Sequence, residues 1–148
     1  MADAQDVKKL REQTGAGIMD AKKALEESGG DFDKAAEIIK QKGLAKADSK
    51  SDREIKAGLV TSYVHNDRIG AVLRLGCETD FVAKSEPFIE LADNIIRQIV
   101  AMNPQDVDEL MAQPFFKDDK TSMEDLIKST IAQTGENIRV DEFYRLEI

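Results

Sequence analysis

The spacing of the apolar residues changes from a helical period to a strand period and back along this chain. Between Val7 and Ile39 the apolar side chains recur every three or four positions, as on one face of a helix. Between Ile69 and Leu75 they occupy every second position, as on one face of a strand. From Phe88 to Val100 the helical spacing returns. This order predicts an α+β fold, in which a small helical module precedes a largely antiparallel sheet with helices packed on one face.

Three short helices are predicted for residues 1–45, which form the first predicted domain. Asp3 and Asp31 stand where side chains cap the first and third helices, and Gly43 stands where a glycine ends a helix. Helices of this length are unstable alone, so they must share a core. The apolar residues available for that core are Val7, Leu10, Ile18, Ala21, Ala24, Leu25, Phe32, Ala35, Ala36 and Ile39.

The second predicted domain, residues 57–148, follows a charged segment. Residues 46–56 have little to bury and are predicted to form a part-helical or flexible linker. Leu59 to His65 and Arg68 to Leu75 then read as the two strands of a hairpin. Asn66-Asp67 between them suits a two-residue turn, because both residues tolerate positive φ.

The strongest predicted helix follows the hairpin. Ser85 is placed to cap it, and Asn103-Pro104 ends it. The remaining predicted elements are a short helix at 105–112, a loop at 114–120, a helix opened by the capping box at 121–124, and a final strand at 137–148 with a bulge at Asp141-Glu142.

Composition argues against several classes of protein. The formal net charge of −8 disfavours direct contact with nucleic acid, which needs a basic face toward the phosphates. Cys77 is the only cysteine, so an internal disulfide is impossible, as fits a reducing cytosol. No apolar run is long enough to span a membrane, and the first residues do not read as a leader peptide. We therefore expect a cytoplasmic protein that contacts neither nucleic acid nor membrane.

Few residues in the chain could support chemistry. Gly15-Ala16-Gly17 lacks the spacing of a phosphate-binding loop, and a tight turn between helices explains it. His65 is the only histidine, which makes a metal site built on imidazole improbable. We expect no catalytic residue, no metal and no cofactor, and therefore a protein that is not an enzyme.

One connecting loop, Glu78 to Ala83, has an aromatic residue beside an acidic one. If Phe81 is exposed, it can anchor in the pocket of a partner protein. If it folds back beneath the helix that follows, it is simply a core residue. The spacing by itself favours the core position.

Two longer runs resemble the signature sequences of the elongation factor Ts family. The first is LREQTGAGIMDAKKAL at residues 10–25, and the second is CETDFVAK at residues 77–84. SYVHNDRIG at residues 62–70 and GENIRV at residues 135–140 are weaker matches. The four segments occur in the family's order and span nearly the whole chain.

The resemblance implies a guanine-nucleotide exchange factor that promotes GDP release from elongation factor Tu. It implies that residues 1–45 form a ubiquitin-associated-like bundle that docks on the GTPase. It also implies that an aromatic residue inserts into the partner and disturbs its magnesium and phosphate site. The matching positions are Arg11, Ile18 and Met19 in the helical module, Thr79, Asp80, Phe81 and Val82 in the exchange loop, and, more weakly, His65.

The chain departs from the family pattern after the strong helix. Only residues 105–113 separate Met102-Asn103-Pro104 from the loop at Pro114, so the helical extension of longer relatives is missing or much reduced. Single-lobed relatives can form dimers, and the apolar sheet face between Leu59 and Leu75 is a possible interface for a homodimer.

Two other functions remain possible from the sequence. One is a binding adaptor that joins a ubiquitin-associated-like bundle to an unrelated α+β domain and does not accelerate nucleotide release. The other is a small enzyme whose nucleophile would be Cys77, paired with His65.

Overall fold

The computed structural model describes residues 2–148, and the chain divides into two compact units, Met1–Lys46 and Ala47–Ile148. The first unit is helical, and the second combines an antiparallel sheet with helices, so the predicted α+β class is confirmed. Each unit has its own cluster of buried apolar residues. The helices that begin in the first unit are α1 (Ala4–Thr14), α2 (Ile18–Glu27) and α3 (Phe32–Asp48).

The predicted caps of α1 and α3 are confirmed. The carboxylate of Asp3 accepts a hydrogen bond from the backbone N–H of Gln5, 3.3 Å away. The carboxylate of Asp31 accepts one from the N–H of Lys34 at 3.0 Å. Each carboxylate satisfies a donor that has no partner inside the helix. The core beneath these helices consists of Val7, Leu10, Ala21, Ala24, Leu25 and Ala35.

The predicted end of α3 at Gly43 is wrong, because the helix continues to Asp48. An internal glycine costs a helix only about 1 kcal/mol, and good helix formers follow Gly43 directly. The last two residues of α3 belong to the second unit. Ala47 is buried in its core, and Asp48 forms a 2.9 Å ion pair with Lys128.

The second unit contains the sheet and four further helices. Its elements are β1 (Ala57–His65), β2 (Ile69–Cys77), α4 (Asp80–Ala83), α5 (Glu86–Met102), α6 (Val107–Ala112), β3 (Pro114–Phe115), β4 (Asp118–Ser122), α7 (Met123–Thr134) and β5 (Ile138–Glu147). The main sheet has the order β1-β2-β5, and both of its pairings are antiparallel. Strands β3 and β4 form a separate two-stranded ribbon.

The turn between β1 and β2 has the predicted backbone but one more residue. Asn66 and Asp67 both have positive φ, at 51° and 57°. Arg68 was expected to begin the second strand, but the first pair of the ladder joins His65 to Ile69. Arg68 belongs to the turn because its N–H closes it, donating to the carbonyl of His65 at 3.1 Å.

Helix α5 covers one face of the sheet. Leu73 and Leu75 of β2 point toward it and are fully buried, and Ala71 is nearly so. Every residue of the predicted apolar stripe on α5 is buried with them. The stripe consists of Phe88, Leu91, Ala92, Ile95, Ile96, Ile99 and Val100.

The predicted irregularity in the final strand is confirmed. On β5, Glu142 pairs with Arg74 and Val140 pairs with Leu75, which leaves Asp141 as an extra residue. A bulge of this kind inserts one residue into one strand and bends the strand locally. Gly135, with φ of 78°, ends α7 in the usual role of a glycine at a helix end.

The segment predicted as a loop at 114–120 instead forms most of the β3–β4 ribbon. The buried side chain of Gln98 holds it. Its Nε2 donates to the carbonyl of Pro114 at 3.0 Å, and its Oε1 accepts from the N–H of Phe116 at 2.9 Å. The sequence did not predict the ribbon because the side chain that orders it, Gln98, lies at a distance along the chain on α5.

The opposite face of the sheet is exposed and partly apolar. Because side chains alternate across a strand, this face receives the residues between those in the core. Across the three strands it places Val64 beside Gly70 and Leu146, and Ser62 beside Val72 and Tyr144. The exposed apolar residues on it are Val60, Val64, Val72, Tyr144 and Leu146. We call this set the open face of the sheet.

We predict that Gly58→Ala destabilises the second unit. Gly58 has φ of +150°, and an added Cβ would contact the carbonyl oxygen of Leu75 and lie 2.9 Å from the Cα of Gly76. The strained backbone and the contact together should lower the free energy of unfolding by roughly 2–4 kcal/mol. Chemical denaturation measures the change. Gly70→Ala on β2 is the control, because its nearest neighbour would lie 3.4 Å away and its φ is not positive. Equal stability of the two variants would contradict the prediction.

Candidate functional site

The predicted loop after β2 is in fact a single helical turn, α4, with Thr79 as its N-cap. The hydroxyl oxygen of Thr79 accepts a hydrogen bond from the N–H of Val82 at 3.4 Å. Such a cap favours the first turn of a helix by satisfying one of its free donors. Thr79 and Asp80 are exposed, whereas Ala83 is buried and Val82 packs against the core. The turn therefore contacts the core through its second half, Val82 and Ala83.

Phe81 lies on the outer side of this turn, and 92% of its surface is exposed. The spacing of the residues favoured a position in the core for Phe81, and that prediction is wrong. Val82 and Ala83 fill the inward positions of the turn, and one turn cannot also direct Phe81 inward. A large aromatic side chain exposed to this degree is available to anchor in the pocket of a partner protein.

Two carboxylates at the base of the turn were not singled out as functional from the sequence. Glu136 accepts hydrogen bonds from the N–H groups of Glu78 and Thr79, at 3.1 and 2.9 Å, and from the hydroxyl of Thr79, at 2.7 Å. Glu78 accepts one from the N–H of Asn137 at 2.9 Å. The only signal for these contacts was the weak match at residues 135–140, which does not show that this segment lies beside the turn.

The structure does not bring Cys77 and His65 together. Cys77 pairs with Ala57 at one end of the hairpin, and His65 lies at the other end. Nine residues of strand separate these ends, a distance of about 25 Å. Burial, followed by the negative charge of Glu136, raises the pKa of the Cys77 thiol. A protonated, buried thiol without a base is a poor nucleophile.

His65 instead forms part of a small polar group at the tip of the hairpin. Its Nδ1 lies 2.9 Å from the hydroxyl of Tyr63, and its Nε2 lies 3.2 Å from the side-chain nitrogen of Asn66. The guanidinium of Arg97 stacks over the ring of Tyr63, 4.4 Å from its centre. This tip is exposed and distant from the turn that carries Phe81.

In the first unit, the candidate contact residues Arg11, Ile18 and Met19 lie at the connection between α1 and α2. Ile18 and Met19, the first residues of α2, are 58% and 60% exposed. The sequence left Ile18 either in the core or at a contact position, and the core position is wrong, because Ala21, Ala24 and Leu25 provide the buried side of α2. The guanidinium of Arg11 donates to the carbonyl of Ala16 at 3.2 Å and so lies beside this connection. Together they form a mixed apolar and basic patch.

Neither a metal-binding group nor a membrane-spanning helix is found in the part of the chain that the structure describes. Residues 2–148 contain no group of three or more His, Cys, Asp or Glu side chains arranged to hold a metal ion. None of the helices within this range is both long and apolar enough to cross a membrane.

Comparison with known proteins agrees with the resemblance seen in the sequence. The sequence model of a family described as elongation factor TS matches residues 78–148. Elongation factor Ts of Thermodesulfovibrio yellowstonii is 42% identical over 189 residues, covering 98% of this chain and 95% of that protein. Elongation factor Ts of Thermotoga maritima is 41% identical over 186 residues, covering 96% and 94%. That of Aquifex aeolicus is 48% identical over 149 residues, covering 97% of this chain and 51% of its own length.

These matches, together with the helical module and the α+β core, define a translation elongation factor. The match to the first two relatives covers nearly their whole length as well as nearly the whole of this chain. The chain belongs to the elongation factor Ts family.

Some of these relatives are longer than this chain within the region that matches it. The alignment with the Thermodesulfovibrio protein has 189 positions, whereas this chain has 148 residues. That relative therefore contains residues without a counterpart here. The Aquifex protein is about twice as long as the region that matches this chain.

Proposed function

We propose that this protein accelerates the release of GDP from elongation factor Tu. Membership of the elongation factor Ts family supports this partner. The observation that carries the proposal is the exposure of Phe81, which is 92% accessible on a turn whose backbone is anchored at its base. The process would take place in the cytoplasm, during polypeptide elongation.

An exchange factor of this kind needs no catalytic group. Phosphate contacts and a magnesium ion hold GDP in the GTPase. A protein that binds the nucleotide-free GTPase more tightly than the loaded form lowers the affinity for nucleotide. The coupling is reciprocal, so bound nucleotide weakens the hold of the factor by the same ratio. What the factor must supply is a contact that only one of the two states can accept.

The turn from Thr79 to Val82 is the proposed source of that contact. Phe81 would insert between side chains of the GTPase, and Asp80 beside it would add a negative charge near the magnesium and phosphate site. Thr79 and Val82 would hold the turn, because the hydroxyl of one caps the N–H of the other. A rigid aromatic side chain loses little conformational entropy on insertion, which suits it to this task.

The helical module would contribute to the affinity for the GTPase and not to the maximal rate of GDP release. We propose that it is ubiquitin-associated-like and docks on the GTPase through Arg11, Ile18 and Met19. Their exposure on one connection, with apolar and cationic groups side by side, supports this role. His65 would make a weaker contact at the tip of the hairpin, where it is exposed.

We also propose that two copies of the chain associate through the open face of the sheet. Between Leu59 and Leu75 the hairpin has two side-chain faces. One face packs on α5, so only the opposite, open face is available to a second copy. Val64 is 65% exposed and Leu146 is 81% exposed on this outer side. Two sheets that pack face to face would bury these residues, as in a β-sandwich. A second copy would also supply a second α+β unit.

Phe81→Ala is expected to lower the rate of GDP release by at least about tenfold, because an anchoring aromatic commonly contributes 2 kcal/mol or more. The measurement is the release of a fluorescent GDP analogue from elongation factor Tu with wild type and variant. Stability should change by less than about 0.5 kcal/mol, because the ring is exposed. Phe116→Ala, at a ring that is 41% exposed on the β3–β4 ribbon, is the control and should retain exchange.

An unchanged rate in folded Phe81→Ala would remove Phe81 from the mechanism. A wild type that binds the GTPase but does not accelerate release would be a binding adaptor instead.

Met19→Ala is expected to raise the concentration of factor needed for half-maximal exchange by roughly five- to tenfold, because burying a methionine that is 60% exposed contributes about 1–1.4 kcal/mol, less than full burial would. The maximal rate should stay within about twofold, since Phe81 is intact. A titration of the same release assay separates the two quantities. Met102→Ala, at an exposed methionine of α5, is the chemically matched control. A loss of maximal rate with unchanged half-saturation would exclude a docking role.

Val64→Glu is expected to convert a dimer into a folded monomer, because it places a charge at the centre of the proposed interface. Light scattering should give twice the mass of the chain for wild type and the single mass for the variant. Ile89→Glu, at an exposed position of α5, should leave the dimer intact. A monomeric wild type at working concentration would exclude the dimer.

A further inference from the structure

The turn that carries Phe81 begins where the main sheet stops. The last pair of the ladder between β2 and β5 joins Cys77 to Ile138. Beyond it, the N–H groups of Glu78 and Thr79 have no strand opposite them. The carboxylate of Glu136 takes the place of a strand, because its Oε1 accepts from both, at 3.1 and 2.9 Å.

The contact is reciprocal. While Glu136 binds the backbone of residues 78–79, Glu78 binds the backbone N–H of Asn137 at 2.9 Å. The guanidinium of Arg53 lies 3.8 Å from the carboxylate of Glu78 and donates to the carbonyl of Gly135 at 3.2 Å. The side chain of Asn137 donates to the carbonyl of Arg53 at 2.9 Å. The two segments and residues 51–53 are thus joined by hydrogen bonds, several of them charge-assisted.

The second oxygen of Glu136 acts on the cap of the turn itself. Its Oε2 accepts the hydroxyl proton of Thr79 at 2.7 Å. A hydroxyl has one proton, so a hydroxyl that donates to Glu136 presents lone pairs elsewhere. One of these accepts the N–H of Val82, which is the cap of α4. The carboxylate therefore fixes the direction in which the Thr79 hydroxyl bonds, and with it the orientation of the turn.

We propose that Glu136 is a positioning residue for nucleotide exchange, acting through Thr79 on the orientation of Phe81. The proposal rests on the proposed function of Phe81 as the inserting residue. Phe81 is 92% exposed, so its direction is set by the backbone of the turn rather than by packing of its own ring. A contact that must insert in one geometry loses its effect when the supporting turn can reorient.

The test compares Glu136→Ala and Glu136→Gln in the GDP-release assay with elongation factor Tu, using the full chain. The alanine variant removes all three acceptor contacts and should lower the maximal rate about tenfold. Its half-saturating concentration should stay within about twofold, because the helical module is unaltered. The glutamine variant keeps an oxygen for the two N–H groups but replaces the acceptor of the Thr79 hydroxyl with a donor, so it should recover only part of the rate. Glu90→Ala, at an exposed carboxylate of α5, is the matched control.

A double variant separates positioning from general stability. If Glu136 acts through Phe81, Glu136→Ala should cause no further loss of rate in a Phe81→Ala background. An independent further loss would show that Glu136 acts on the fold and would overturn the proposal. Should Glu136→Ala fail to fold, Thr79→Val provides a narrower test, because it removes the hydroxyl that donates to Glu136 and caps the N–H of Val82 while leaving both backbone contacts of Glu136 in place.

The outcomes distinguish the role of Glu136 from the proposed role of Phe81 in exchange, on which it rests. A wild type that does not accelerate release, or a Phe81→Ala variant with full activity, overturns the proposed exchange mechanism and this proposal with it. A wild type that is active, a Phe81→Ala variant that is impaired and a folded Glu136→Ala variant with the wild-type rate overturn only the role of Glu136.

Discussion

The packing of α5 against the inner face of the sheet is the interaction on which the second unit depends. Leu73 and Leu75 are fully buried there with Phe88, Ile95 and other residues of the helix. Each large apolar side chain removed from water contributes about 1.5–3 kcal/mol, and the unit has no disulfide to replace that contribution. Because β2 lies in the middle of the sheet and under α5, its end is a rigid point from which the next residues project.

The proposed site is built on that rigid point. β2 ends opposite the start of β5, so the residues that leave one strand lie beside those that enter the other. Helix α4 is too short to be stable alone, and it is held by its cap, by the seating of Ala83 and by Glu136. This arrangement reconciles two requirements of a binding anchor, since the Phe81 ring is free to enter a partner while its backbone is constrained.

Local patterns in the sequence predicted much of this architecture. The stripe on α5, the caps at Asp3 and Asp31, the positive φ at Asn66 and the bulge at Asp141 all depend on residues within a few positions of each other. The resemblance placed Phe81 among the residues that contact a partner, which requires an exposed side chain, although its spacing alone pointed to the core. Two of the errors have a different origin, because one involves a distant partner and the other a competition between neighbours for the same buried space. The β3–β4 ribbon depends on Gln98, and Phe81 is displaced from the core by Val82 and Ala83.

The sequence by itself determined the α+β class, the order of the main elements and the family. Periodicity, capping residues and signature runs are properties of short segments, and they can be read without knowing which segments meet. Only the tertiary structure decided that Phe81 points outward and that Glu136 lies at its base. The position of Glu136 depends on contacts between residues 57 positions apart, made because the strands before and after them pair in one particular register. No local pattern specifies which distant carboxylate will accept the N–H groups that a strand leaves free where it ends.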